Sequence, residues 1–124
     1  FFRERSGVPP PGWLADELAG HQAAAAVSAA ALSGRDPICV DALSLFVSLL
    51  GAEAGNLALK FLSRGGVYLA GGIPPKIRQA IVSGDFLPSF LAKGRFSPLL
   101  QQMPVHVVLN ESTALLGAAH VCSS

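Results

Sequence analysis

Two glycine pairs enclose four apolar residues in Gly65-Gly66-Val67-Tyr68-Leu69-Ala70-Gly71-Gly72, and Ile73-Pro74-Pro75 comes directly after. No other stretch restricts the chain as much. A short apolar run bounded by glycines reads as a buried strand, and the second pair delivers the chain into a helix expected from about Pro75 to Ser83. In open α/β sheets, ligands gather at the carboxyl ends of strands. Glycine at such an end lets a flat or charged ligand touch the backbone where a Cβ would collide. The same glycines equally serve a tight strand-to-helix turn with no ligand. Neither GxxxxGK[ST] nor GxGxxG occurs, so the turn is not a phosphate loop and a triphosphate cradle is missing.

The flanking sequence reads as helices and one more strand. Ser6 to Gly12 contains three consecutive prolines, which remove three backbone donors, and is a loop. An alanine-rich helix is expected from Trp13 to Leu32, with Asp16 and Glu17 placed as helix-start charges and an end at Ser33-Gly34. Asp36-Pro37 starts another, with Asp as N-cap and Pro at the first helical position. Ile38, Ala42, Leu45, Phe46 and Leu49 fall at helical spacing, but Val40, Leu43, Val47 and Leu50 occupy the other sides, so this helix is expected to be buried nearly all round. Gly51 and Gly55 predict a bend or break, with room for close approach by another element, before the helix resumes from Asn56 to Ser63. Downstream, Phe86–Leu91 reads as a short helix, Lys93–Phe96 as a loop and Ser97–Leu100 as a helical turn. Pro104–Asn110 is β-branched-rich and reads as a strand, and Ser112 can cap a last helix running to about Val121. The order is mixed α/β, helices packed on a small mixed sheet.

Composition bounds the partners. With 9 basic and 8 acidic residues among 124, the net charge is +1, which offers no field for nucleic acid or an anionic membrane. Charged residues make up 14% against a usual share of about 25%, so extensive burial and partner surfaces are expected. Asp41, Glu53 and Lys60 interrupt the most hydrophobic stretches, leaving no charge-free run of about 20 residues to span a bilayer. Cys39 and Cys122 stand far apart with no CxxC or Cys/His cluster, which points to reduced cytoplasmic thiols and to no metal site. The opening Phe1-Phe2-Arg3-Glu4-Arg5 reads as the end of a helix already under way, so a piece of a longer protein is expected.

Several segments together resemble the end of the bacterial glucokinase family in order and spacing. They are Asp41-Ala42-Leu43-Ser44-Leu45-Phe46, Gly55-Asn56-Leu57-Ala58-Leu59, Gly65 through Ile73, Lys93-Gly94-Arg95-Phe96, Pro104-Val105 and Leu115-Leu116-Gly117-Ala118-Ala119. The resemblance covers about residues 37–121, and it rests on this combination more than on Ala-Gly-Gly, which the wider hexokinase and actin-like superfamily shares. It implies the C-terminal part of an actin-like, ribonuclease-H-like two-domain sugar kinase. Residues 1–111 would belong to the large domain, and residues 112–124 would form the helix returning toward the small domain and hinge. It implies an ATP-dependent glucose 6-kinase, with ATP and Mg²⁺ as donor, glucose as acceptor and a cytoplasmic homodimer as the working form. Ala70, Gly71 and Gly72 would match the family's adenosine motif, with Ile73 flanking the base. Before Leu115 many relatives carry Asn-Pro-Gly, whereas this chain has Ser112-Thr113-Ala114. The family's Asp-x-Gly-Gly-Thr phosphate loop, Asn-Asp catalytic pair and Glu/His sugar contacts have no match here, so no catalytic residue is expected in this segment.

Other polar residues keep two readings. Lys76 and Arg78 after the glycines either approach a phosphate or are simply solvated. Asn56 either hydrogen-bonds a loop on the nucleotide side or packs within its helix. Lys93 and Arg95 read as loop structure, and His21, His106 and His120, none in ligand spacing, as structural or solvent-facing. A non-catalytic assembly module and another sugar kinase of the superfamily remain the alternative functions.

Overall fold

A computed structural model describes residues 1–20 and 22–123, which form two compact units, Phe1–Phe46 and Val47–Ser124. His21 lies outside the described residues. The elements are α1 (Phe2–Ser6), α2 (Gly12–Leu18), α3 (Ala23–Leu32), α4 (Pro37–Phe61), β1 (Val67–Leu69), α5 (Arg78–Ser83), α6 (Phe86–Leu91), a 3₁₀ turn at Gly94–Phe96 where the sequence reads as a loop, α7 (Ser97–Leu100), β2 (Val105–Val107) and α8 (Thr113–Cys122). Helix α4 contributes its first turns to one unit and the remainder to the other.

In the first unit, the expected helix from Trp13 to Leu32 is instead two helices. Glycine is the costliest helix residue after proline, and at Gly20 the chain leaves helical pairing, its N–H bonding the Glu17 carbonyl. Asp16 and Glu17 consequently lie in the later half of α2 instead of at a helix start. Leu14 is fully buried among Ala26, Ala30, Ala31 and Cys39, with Trp13, Leu18, Val27 and Leu43 packed around them. The alanines allow this closeness because they add no bulk. Outside the cluster, the Arg35 guanidinium sits 4.1 Å from the centre of the Trp13 ring.

Asp36 starts α4 as its sequence predicts. Its Oδ1 accepts the backbone N–H of Cys39 at 2.9 Å, and Pro37 occupies the position whose N–H would have no intrahelical partner. The same buried carboxylate forms an ion pair at 2.6 Å with Arg3, whose Nη1 also donates to the Pro9 carbonyl at 3.2 Å. Arg3 thus ties α1 and the proline loop to the head of α4. The Arg3 guanidinium holds the Asp36 carboxyl below its usual range, the Cys39 N–H adds to this, and burial partly opposes both. Burial pushes the Cys39 thiol up.

In the second unit, α4 runs without the expected break as far as Phe61. A Cβ on Gly51 would fall onto the Phe86 carbonyl oxygen, and one on Gly55 would lie 2.6 Å from the Phe90 carbonyl oxygen. These glycines therefore let the backbone of α6 settle against α4, and that packing offsets their helix penalty. The helix stops where Leu62 takes a φ of 49° and the Ser63 N–H bonds back to the Ala58 carbonyl at 3.0 Å. Burial all round α4 does not occur. Val47, Gly51, Ala54, Gly55 and Ala58 are buried, whereas Leu49, Leu57 and Phe61 are exposed, because only the small-residue side meets a described neighbour. By length and composition alone α4 could cross a bilayer, with a mean hydropathy of 1.6, and its glycine seam with α6 is the observation that assigns that face to protein packing.

Strands β1 and β2 pair in parallel, Val67 opposite Val105, Tyr68 opposite His106 and Leu69 opposite Val107. The mixed sheet expected from sequence is, among the described residues, this parallel pair. A parallel pair needs a long crossover, and α5, α6 and α7 supply it. Gly66 enters β1 at a φ of 113°, and a Cβ there would lie 3.0 Å from the Pro104 carbonyl oxygen. At the far end Ser112 occupies the N-cap position of α8 without a side-chain cap bond. Asn110 does that work: its Oδ1 accepts the Ser112 N–H, and its carbonyl accepts the Thr113 hydroxyl.

Unfolding measurements check both the seam and the cap. Gly55→Val should destabilise the second unit by about 1–3 kcal/mol through overpacking against the α6 backbone, measured by denaturant unfolding. Asp36 carries a depressed pKa, so its contribution is complete above the ordinary aspartate value of about 3.9 and is lost as the pH falls through the lower folded-state value. Urea midpoints should accordingly drop on acidification below about pH 4, and Asp36→Asn should flatten that dependence.

Candidate functional site

The glycine turn begins where β1 ends. Leu69 is buried and its carbonyl accepts the Val108 N–H at 2.9 Å, while the Val67 N–H bonds the Pro104 carbonyl at 2.8 Å. The strand end is thereby held on β2. Ala70 then emerges exposed, Gly71 takes a φ of 114°, and Ile73 projects with 59% of its surface accessible. The Ile73 carbonyl accepts the N–H groups of Lys76 at 3.0 Å and Ile77 at 3.2 Å, closing a turn that leads into α5. Ile77 and Ile81 are buried and anchor α5 in the interior.

The two glycines of the turn are there for different reasons. Gly71 has a backbone conformation that side chains rarely adopt, so the turn itself requires glycine. Gly72 has no such conformation, and among the described residues a Cβ built on it would meet nothing within 4 Å. The described residues place no demand for glycine at 72. Its missing side chain leaves bare backbone facing open space at the carboxyl end of a strand, the geometry through which a flat ligand can reach main-chain atoms.

Lys76 lies exposed within the turn itself, since α5 starts at Arg78 and not at Pro75. Asn56 hydrogen-bonds a loop: its Oδ1 accepts from Lys93 Nζ at 2.6 Å, and its Nδ2 donates to Glu53 Oε2 at 3.1 Å. The structure thus joins Asn56 to Lys93, a pairing the sequence did not disclose. Arg95 lies over the neighbouring Phe96 ring. His106 faces solvent and stacks on Tyr68 at 4.9 Å with rings 20° apart. Among the described residues no three His, Cys, Asp or Glu side chains gather as a metal site.

Comparison with known proteins gives this geometry a family. The glucokinase family model matches residues 12–124. The chain belongs to the glucokinase family. It is 53% identical over 95 residues to a glucokinase of Nostoc sp., covering 77% of this chain and 28% of that protein. To a glucokinase of Synechocystis sp. it is 54% identical over 101 residues, covering 82% and 28% respectively. A glucokinase of Aromatoleum aromaticum is 43% identical over 118 residues, 95% of this chain and 33% of that protein. Among solved structures, the glucokinase from an Antarctic psychrotroph superposes with a TM-score of 0.75 at 30% identity, over 99% of this chain and 36% of that one. The chain therefore spans about a third or less of the length of these glucokinases, and the α/β fold is theirs.

The contrast between Gly71 and Gly72 is testable on stability alone. Gly71→Val should cost about 1–3 kcal/mol because a side chain is strained at that backbone conformation, whereas Gly72→Val should stay within about 0.5 kcal/mol in a denaturant titration.

Proposed function

We propose that the protein carrying this segment is an ATP-dependent glucokinase, forming glucose 6-phosphate, and that this segment supplies the wall against which adenosine rests. The observation that carries this is Gly72, a glycine the fold does not need, at an open strand end in a glucokinase-family chain. Ala70, Gly71 and Gly72 offer main chain to the nucleoside, and Ile73 offers apolar surface to the base. We assign Lys76, exposed in the same turn, to the phosphate side of the nucleotide. The open turn suits the adenosine half of ATP and has no glycine-rich loop to cradle the triphosphate. Mg²⁺ and the sugar are assigned to residues outside this segment, because the family's phosphate loop and sugar contacts have no match in its sequence. When bound, ATP supplies the phosphoryl group; these residues bind and orient its nucleoside end.

Two further parts of the reading concern assembly. Helix α8 has no buried residue, and Leu115 and Val121 are 73% and 74% accessible, so a ten-residue helix stands without the packing that normally sustains one. We assign it to the return toward the small domain and hinge, with residues 1–111 in the large domain. The exposed Leu49, Leu57 and Phe61 support burial against a further protein surface, which we assign to a homodimer; a cytoplasmic location without membrane or nucleic-acid partners belongs to the same proposal.

The complete enzyme is expected to form glucose 6-phosphate only with both ATP and glucose present; failure to do so would overturn the assignment. In that enzyme Gly72→Val should raise KM for ATP about tenfold or more, with KM for glucose changed less than twofold, because added bulk in a binding site typically costs a factor of 10 or above. Equal effects on both substrates would remove the adenosine role. The 124 residues alone should show no turnover, since holding one side of a nucleotide does not align an attacking hydroxyl.

A further inference from the structure

The seam between α4 and α6 is smooth at its centre. Where Phe86 and Phe90 lay their carbonyl groups over Gly51 and Gly55, α4 presents no side chain to interlock with the crossing backbone. Such a groove fixes the distance between two helices well and their sliding register poorly, because ridges and knobs normally set register. Polar contacts stand along it. Ser48 and Ser89 share a hydrogen bond at 2.9 Å, and Lys93 donates to Asn56 at 2.6 Å. The stem of Lys93 also lies close to Gly55, 3.0 Å from where a Cβ would be. Glu53, accepting from the Asn56 amide, orients that side chain so that its oxygen faces Lys93.

We infer that Lys93 and Asn56 form a positioning clasp that sets the register of α6 on α4 and, through α5, the placement of the Gly71–Ile73 turn. The link is covalent and short. Gly84 and Asp85 alone separate α5 from α6, and the buried Ile77 of the turn and Ile81 of α5 make α5 the rigid piece between clasp and turn. The hydrogen bond itself is exposed, so its contribution to global stability is small, and the buried Phe86 and Phe90 keep α6 docked and folded when it is lost, without the polar contact that fixes its register. Loss of the clasp therefore shifts the turn without unfolding the protein. This role rests on the proposed adenosine wall.

The test uses the complete enzyme with Lys93→Met, which keeps the apolar stem over Gly55 and removes the donor. KM for ATP should rise roughly threefold to tenfold, within the range of coupling carried through packed elements, with kcat and KM for glucose within about twofold. Lys93→Arg, which keeps a charged donor, should restore KM for ATP. Asn56→Ala combined with Lys93→Met should be no worse than either change alone, since each removes the same bond. If Gly72→Val raises KM for ATP and Lys93→Met does not, the clasp is overturned while the adenosine wall stands. If neither does, the wall itself falls and the clasp with it. Proportionate loss of kcat, thermal stability and both KM values in Lys93→Met would make the contact a general fold contact and overturn the positioning role.

Discussion

The second unit depends on a backbone-to-helix contact that only glycine permits. Gly51 and Gly55 lie on the buried side of α4, and the carbonyls of Phe86 and Phe90 occupy the space their side chains would fill. Each glycine costs an isolated helix about 1 kcal/mol relative to alanine. The cost is met by the approach of α6, which carries Phe86 and Phe90 into the interior and leads back through α5 to the strand end. The position of the glycine turn is thus inherited from helix packing, and the local sequence of the turn supplies only its shape.

That shape separates structural need from chemical opportunity. Gly71 satisfies the left-handed backbone that carries the chain out of β1, and the two N–H groups captured by the Ile73 carbonyl complete the reversal. Gly72 does neither, and among the described residues nothing lies within 4 Å of where its side chain would stand. A parallel strand pair supports this arrangement because both strands run the same way and their carboxyl ends lie together. The crossover of three helices that parallel pairing demands is also what brings α6 onto α4.

Much of the fold was legible in the residues themselves. Asp36-Pro37 announced the start of α4 and the Cys39 N–H takes the cap as expected; Val67–Leu69, Phe86–Leu91 and Ser97–Leu100 lie where propensity and breakers put them. The misreadings have a common cause. The break at Gly20 was concealed by the surrounding alanines, and the continuity of α4 past Gly51 was invisible because it depends on α6, 35 residues downstream between Gly51 and Phe86. Neither the Arg3–Asp36 ion pair nor the Lys93–Asn56 bond had a sequence signal, since each joins residues more than 30 apart.

The amino-acid sequence by itself determined the family, the strand-turn-helix around Ala70-Gly71-Gly72 and the cap at Asp36, because each is written in adjacent residues whose backbone preferences are local. Tertiary structure alone decided which glycine the fold requires and which it leaves open, which side of α4 is buried, and what Asn56 holds. Those depend on what lies across space from each residue, and a Cβ that would collide with a carbonyl from another helix is a fact of packing that no neighbouring residue records.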